Sequence, residues 1–196
     1  VYIVRYADDF VVGLQHEQDA LALRTALAER LANFGLELHP EKTRVLEFGS
    51  GAPWLRKRAG KGKPETFDFL GFTHIAGKSR RGLFQLARMT SRKKLQAKVV
   101  VMNAQIKKRQ HEPVGVQHAW LVSVLAGHYR YYGVPTNYAK LRTFRYAVER
   151  RWHWALARRS QRARWKEGQR EVFSQRYLLP YPKIHHPWPT QRFQRR

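Results

Sequence analysis

The charge of this chain is divided along its length. Residues 1–76 hold ten Lys and Arg against ten Asp and Glu, a net of zero. Residues 77–196 hold 28 Lys and Arg against four Asp and Glu, so the whole net charge of +24 sits there. A surface of that kind is an electrostatic footprint for a polyanion. Nucleic acid is the usual polyanion, bound through phosphate contacts that release counterions and weaken in salt. A merely soluble basic surface, or attraction to anionic lipid, is the blander alternative.

Hydrophobic patterning changes near the same place. In the neutral part, residues 1–6 and 10–14 are β-branched and aromatic runs around Ala7-Asp8-Asp9. They read as strand, turn, strand, with both Asp at the tip. Leu23, Leu27, Leu31 and Phe34 predict an amphipathic helix over 17–34, closed by Gly35. Residues 45–48 read as a strand, 49–65 as a loop rich in Gly, Lys and Arg, and 67–72 and 83–88 as further strands.

The basic part reads as helical. Thr90 or Ser91 can cap a helix running to about Arg109, with Leu95, Val99, Met102 and Ile106 in one stripe. Residues 115–132 are apolar nearly all round, which predicts a buried central helix. After the break at 133–137, Leu141, Phe144, Val148, Trp152 and Ala155 mark the buried stripe of a long helix over 138–160. Arg145 and Arg159 fall near the edge of that stripe and must snorkel or bond to something. A last helix is expected over 166–177. The tail from Leu179, with Pro180, Pro182, Pro187 and Pro189, cannot be a regular element.

Composition removes several classes of function. There is no Cys, hence no disulfide framework, thiolate metal site or Cys nucleophile. The longest stretch free of Asp, Glu, Lys and Arg, Pro113 to Tyr129, is too short and too polar to span a bilayer. Gly71 to Ser79 has five residues between its glycines where a P-loop needs four. The nine His show no zinc spacing, and no nucleophile elbow is present. The chain opens on strand-like Val1–Val4 without Met or the pattern of a secretory leader, as expected of one end of a longer protein.

Tyr6-Ala7-Asp8-Asp9 is the sharpest local signal. Adjacent carboxylates on a tight turn repel each other and invite a hard cation such as Mg²⁺, which keeps positions for water and substrate phosphate. Two such ions can activate a 3′-hydroxyl and stabilise a leaving pyrophosphate. Asp is also an ordinary turn residue, so the pair alone does not decide the matter.

Further blocks follow in order. Residues 5–10 (RYADDF) resemble the catalytic hairpin of reverse transcriptases. Residues 35–43 (GLELHPEKT) and 67–72 (FDFLGF) are similar to the next blocks of group II intron reverse transcriptases, the second being the primer grip. Residues 125–133 (LAGHYRYYG) resemble the signature of the maturase, or thumb-like, domain of the same proteins. His128 stands where many members have Trp. Residues 144–148 and 186–189 also resemble that domain, so the likeness covers essentially the whole chain.

The resemblance implies an α+β fold. Residues 1–76 would be the C-terminal part of a polymerase palm, a β-hairpin plus a helix and short antiparallel strands. Residues 77–196 would be an α-helical thumb and maturase region ending in a Pro-rich tail. It implies Asp8 and Asp9 as Mg²⁺ ligands of a two-metal site, Tyr6 near the primer end, and Phe69, Leu70 and Gly71 in the primer grip. Lys42 would lie near the incoming triphosphate as a general acid, or would be one more exposed Lys. Arg80, Arg81, Arg92, Lys93, Lys94, Lys98, Tyr129, Arg130, Tyr131, Arg142, Arg150 and Arg151 would meet RNA. The implied partners are group II intron RNA, an RNA template with a DNA primer, and deoxynucleoside triphosphates, with no membrane and a bacterial cytoplasmic setting. The third aspartate of the family's metal site comes from upstream and is absent here, so this chain alone is expected to be inactive as a polymerase. A non-catalytic RNA-binding splicing factor and a non-functional truncated remnant are the rival readings.

Overall fold

A computed structural model of the chain describes residues 1–159, 166 and 168–188. Its elements run β1 (Tyr2–Tyr6), β2 (Asp9–Gly13), α1 (Glu17–Ala32), α2 (Ala52–Arg58), β3 (Phe67–Phe69), β4 (Phe72–Lys78), β5 (Phe84–Thr90), α3 (Arg92–Lys108), α4 (Val114–Tyr132), a short 3-10 turn (Pro135–Asn137), α5 (Tyr138–Leu156) and α6 (Gln169–Arg176). The fold class is α+β, with a two-stranded sheet β1-β2 and a three-stranded sheet in the order β3-β4-β5. Two compact units result. One comprises Val1–Phe69 and Ile75–Leu86, the other Leu70–His74 and the chain from Ala87 onward. Residue 76 falls inside β4.

In the first unit, β1 and β2 pair antiparallel with Tyr6 opposite Asp9 and Val4 opposite Val11. The first ten residues are all exposed, including Tyr2, Ile3, Val4 and Tyr6. Helix α1 ends two residues short of the expected 34. Leu36 N–H donates to Leu31 O and Gly35 N–H to Ala32 O, with Gly35 at φ 68°, the Schellman closure its glycine predicts. No residue of α1 is buried, and Phe34 at its end is exposed. Residues 45–48 form no strand, since no ladder partner reaches them; they are irregular and half-buried, with Phe48 edge-on to Phe67 at 5.0 Å. The expected loop 49–65 contains α2. Pro53 in its first turn needs no N–H partner, and Trp54 to Arg58 tolerate a helix. Arg56 then ties that segment together, donating to Gly62 O and pairing with Glu65.

The second unit has a true core. Leu121, Leu125, Leu141 and Phe144 are fully buried, and Val148, Trp152, Met102 and Ile106 nearly so. Met102 and Ile106 on α3, and Leu141, Phe144, Val148 and Trp152 on α5, lie on the stripes expected of those helices, which follow the i, i+3, i+4 spacing. Helix α4 departs from expectation. It buries one face only, through Gln117, Leu121, Leu125, His128 and Tyr129, while Val116, Ala119, Ser123 and Gly127 face solvent. Small residues on that outer face made the helix look apolar all round. The ends expected at 160 and 166 fall at Leu156 and Gln169; residues 160–165 and 167, and the tail from Pro189, lie outside the described residues.

Several buried polar groups in this unit are matched. Trp152 Nε1–H donates to Gln117 Oε1 at 2.9 Å, and Gln117 Nε2 donates to the carbonyls of Glu112 (2.7 Å) and Gln110 (3.3 Å). Arg145 resolves its edge position by donating to Leu179 O and Glu149, with its guanidinium 4.4 Å from the Tyr181 ring. Arg159 donates to Glu112 O.

The contrast between the units has a measurable consequence. A hairpin with both faces wet is marginal in water, whereas packed helices open only near globally. Hydrogen exchange should show the amides of residues 2–13 exchanging at least about a hundredfold faster than those of 121–129 and 141–152. Equal protection of the hairpin and the helices would contradict the structure.

Candidate active-site hairpin and basic surface

The Tyr6-Ala7-Asp8-Asp9 segment closes the β1-β2 hairpin with a two-residue turn. Ala7 takes φ 50°, the positive value that the first central position of a type II′ turn requires. Arg5 Nε donates to Ala7 O at 3.0 Å and braces the turn. Asp8 lies at the tip, but Asp9 does not: it is the first residue of β2 and pairs with Tyr6. Directly opposed residues share a face, so the register puts Tyr6 and Asp9 side by side, beside the Asp8 turn. Both carboxylates are exposed.

These residues fall short of a complete metal centre. Mg²⁺ asks for near-octahedral oxygen coordination, and a two-metal site needs carboxylates that bridge. Among the described residues, no group of three His, Asp or Glu is placed to hold a metal. Asp19 lies on α1 and Asp68 on β3, neither grouped with Asp8 and Asp9. Lys42 is exposed in the turn after His39, whose carbonyl accepts from its N–H at 3.2 Å; among the described residues it makes no ion pair with Asp8 or Asp9.

The FDFLGF block is not one strand. Leu70 at φ 49° and Gly71 at φ 77° form a two-residue turn between β3 and β4. Positive φ at both central residues is the type I′ signature, normally met by Asn-Gly, and Leu pays a steric cost there. The second unit holds the turn in place. Tyr131 Oη donates to Leu70 O at 2.9 Å, Ser91 N–H donates to Gly71 O at 3.0 Å, and Phe72 stacks on Tyr131. A Cβ on Gly71 would stand 2.7 Å from Tyr132 Oη. Gly71→Ala should therefore destabilise the chain by about 1–3 kcal/mol, read as a lower denaturant midpoint at unchanged m-value. A neutral substitution would show that this turn is not pinned.

The residues expected to meet RNA divide sharply. Arg80 and Arg81 are exposed between β4 and β5. Arg92, Lys93, Lys94 and Lys98 are exposed on α3, Arg130 on α4, and Arg142, Arg150 and Arg151 on α5. Tyr131 is half in solvent despite its bond to Leu70. Tyr129 is a correction. It is 2% exposed, donates to Pro180 O at 3.1 Å, and has its hydroxyl pushed up to about 12, chiefly by burial. The spacing of four from Leu121 to Leu125 to Tyr129 was the signal for a core side chain.

Lys94 and Lys98 line an open cleft of about 590 Å³ between α3 and α4, with His128 and Tyr132 on the α4 side. His128 lies 4.0 Å, centroid to centroid, from Phe144, and its Nε2 is covered without a hydrogen-bond partner. Its pKa is lowered from 6.5 to about 4, chiefly by burial and in lesser part by Lys98. His153 is lowered as well, by burial first and then Arg170, against a smaller opposing pull from Glu149. Both rings are neutral in the folded state at pH 7, and the unfolded chain binds their protons at higher pH. Their contribution to stability is whole above pH 6.5 and declines as pH falls below it, that of His128 being lost towards about 4. Unfolding free energy should drop by about 1–3 kcal/mol between pH 7 and pH 4.5, and His128→Phe should flatten much of that slope. A profile unchanged by the substitution would contradict the assignment.

Residues 1–74 match the family model for reverse transcriptase (RNA-dependent DNA polymerase). No curated protein and no solved structure matches the chain. The matched residues take in the Asp8-Asp9 hairpin, the Lys42 turn and the Leu70-Gly71 turn. They support a segment of reverse transcriptase type, an enzyme class that joins nucleotides on an RNA template from a primer and deoxynucleoside triphosphates, generally with Mg²⁺. No described helix is long and apolar enough to cross a membrane.

Proposed function

We propose that the chain is the C-terminal portion of a group II intron-type reverse transcriptase and maturase. One observation carries the reading: the Tyr6-Ala7-Asp8-Asp9 turn closes an antiparallel hairpin inside the segment that matches the reverse transcriptase family. Asp8 and Asp9 supply two of the carboxylates that a nucleotidyl-transfer centre needs, with the remaining one from elsewhere in the intact polymerase. Tyr6 flanks the primer end, Phe69, Leu70 and Gly71 shape the primer grip, and Lys42 approaches the triphosphate. The neutral residues 1–76 act as palm and the basic residues 77–196 as thumb and maturase region, which holds template, primer and intron RNA. The net charge of +24 in that part, with exposed Arg and Lys on α3 and α5, supports the RNA-binding half of the reading.

The same surface favours one rival, an RNA-binding splicing factor without polymerase activity. Primer extension separates them. The purified chain in Mg²⁺ should extend no primer, because its donor set is short of a metal centre. A fusion that restores an upstream palm from a group II intron protein should extend an RNA-templated primer. Asp8→Ala in that fusion should lower extension by at least about a thousandfold with RNA affinity kept. Extension by the chain alone would refute the incomplete-site account. A folded fusion that never extends would favour the splicing factor.

A further inference from the structure

Helix α5 carries a second pattern on the side away from its buried stripe. Arg142, Tyr146, Arg150 and Trp154 on the helix, and Arg158 two residues past its end at Leu156, recur at intervals of four, guanidinium and aromatic ring in strict alternation. All five are exposed, Tyr146 by 60% and Trp154 by 51%. Residues four apart on a helix form one continuous ridge, and each step advances about 6 Å along the axis. From Arg142 to Trp154 the ridge therefore runs for about 18 Å, and Arg158 extends it just past the helix end. It contains no carboxylate, and the nearby Glu149 is engaged by Arg145. Two large rings standing in water opposite a well-made core are not explained by folding. The Arg158 guanidinium already lies 3.8 Å from the centroid of Trp154, so one stack is preformed.

We infer that this ridge is a binding track for an unpaired RNA strand, whose bases stack on Tyr146 and Trp154 while its phosphates meet Arg142, Arg150 and Arg158. The inference rests on the RNA-binding reading of the basic unit and adds to it the form of RNA and the residues that read it. Aromatic faces accept any unstacked base, and alternating cations match the alternation of base and phosphate along a single strand. A duplex offers its phosphates to such a ridge but keeps its base faces inside the stack. The track should therefore distinguish unpaired from paired RNA, which charge alone cannot do.

The test is fluorescence anisotropy with the full 196-residue chain, a short labelled oligoribonucleotide, the same sequence as a duplex, and the same sequence as single-stranded DNA. Trp154→Ala and Tyr146→Ala should each weaken binding of the unpaired RNA by roughly fivefold to a hundredfold. Affinity for the duplex should stay within about twofold, and Trp154→Phe should restore most of the loss. Arg150→Gln should reduce the salt slope for the single strand by about 0.7. Both aromatic positions are exposed, so unchanged melting temperatures will show that the variants are folded. Equal losses for duplex and single strand, or no loss at all, would overturn the track while leaving RNA binding by the chain intact. Equal affinity for the DNA strand would overturn the assignment to RNA. A chain that binds no RNA in any form would remove the RNA-binding reading and the track together.

Discussion

The second unit depends on one buried amide. Asn137 is fully enclosed; its Oδ1 accepts from Thr90 N–H at 2.8 Å, and its Nδ2 donates to Thr90 Oγ1 at 2.7 Å and to Tyr132 O at 2.9 Å. Three termini meet there: the end of β5, the last carbonyl of α4 and the start of α5. Beside it, Thr136 Oγ1 accepts from Arg88 N–H and donates to Arg88 O, pairing the strand as another strand would. Buried backbone groups must find partners, and a short polar turn supplies them where the sheet runs out. That junction fixes where α3 begins and how α5 leaves. It thereby sets the face of α5 that packs inward and the face that carries Tyr146 and Trp154 to solvent.

The two units are built on different physics. The helical one buries Trp152, Phe144 and a set of Leu side chains, and its charges are relegated to the outer faces of α3 and α5. The hairpin unit buries little, with Val4 and Ile3 in water and Asp8 and Asp9 at an exposed turn. Two carboxylates on a hairpin with no core over it lack the enclosure that metal-assisted chemistry uses. The chain thus joins an exposed Asp8-Asp9 turn, inside the segment that matches the reverse transcriptase family, to a well-packed basic helical body.

Much of this was legible in the sequence, for reasons that differ by element. The stripes of α3 and α5 were, because Leu95, Met102, Ile106 and Leu141, Phe144, Val148 keep helical spacing whatever surrounds them. The hairpin was, because β-branched runs flank a two-residue turn. The strand at 45–48 was misread, since a short apolar run specifies a strand only when a partner lies beside it. Helix α2 was missed because Gly49 and Gly51 before it and Gly60 and Gly62 after it disguised seven helix-compatible residues. The turn at Leu70-Gly71 was missed because Leu is a poor choice for positive φ; the contacts from Tyr131 and Ser91, remote in sequence, hold it there. Tyr129 was grouped with its surface neighbours because composition, unlike period, does not tell which face of a helix a Tyr occupies. The alternation of Arg and aromatic side chains on α5 was present as a spacing of four, yet only exposure distinguishes such a ridge from a second core stripe.

The proposed grip on a polyanion comes from residues 77 onward, through phosphate contacts, and not from the neutral part. The most direct measurement is the affinity of the whole chain for a structured RNA as a function of salt. Log affinity should fall in a straight line with log salt, with a slope of about −4 or steeper from several phosphates neutralised together. A flat response would contradict it, and would leave the net charge of +24 as a solubilising surface with no nucleic-acid role.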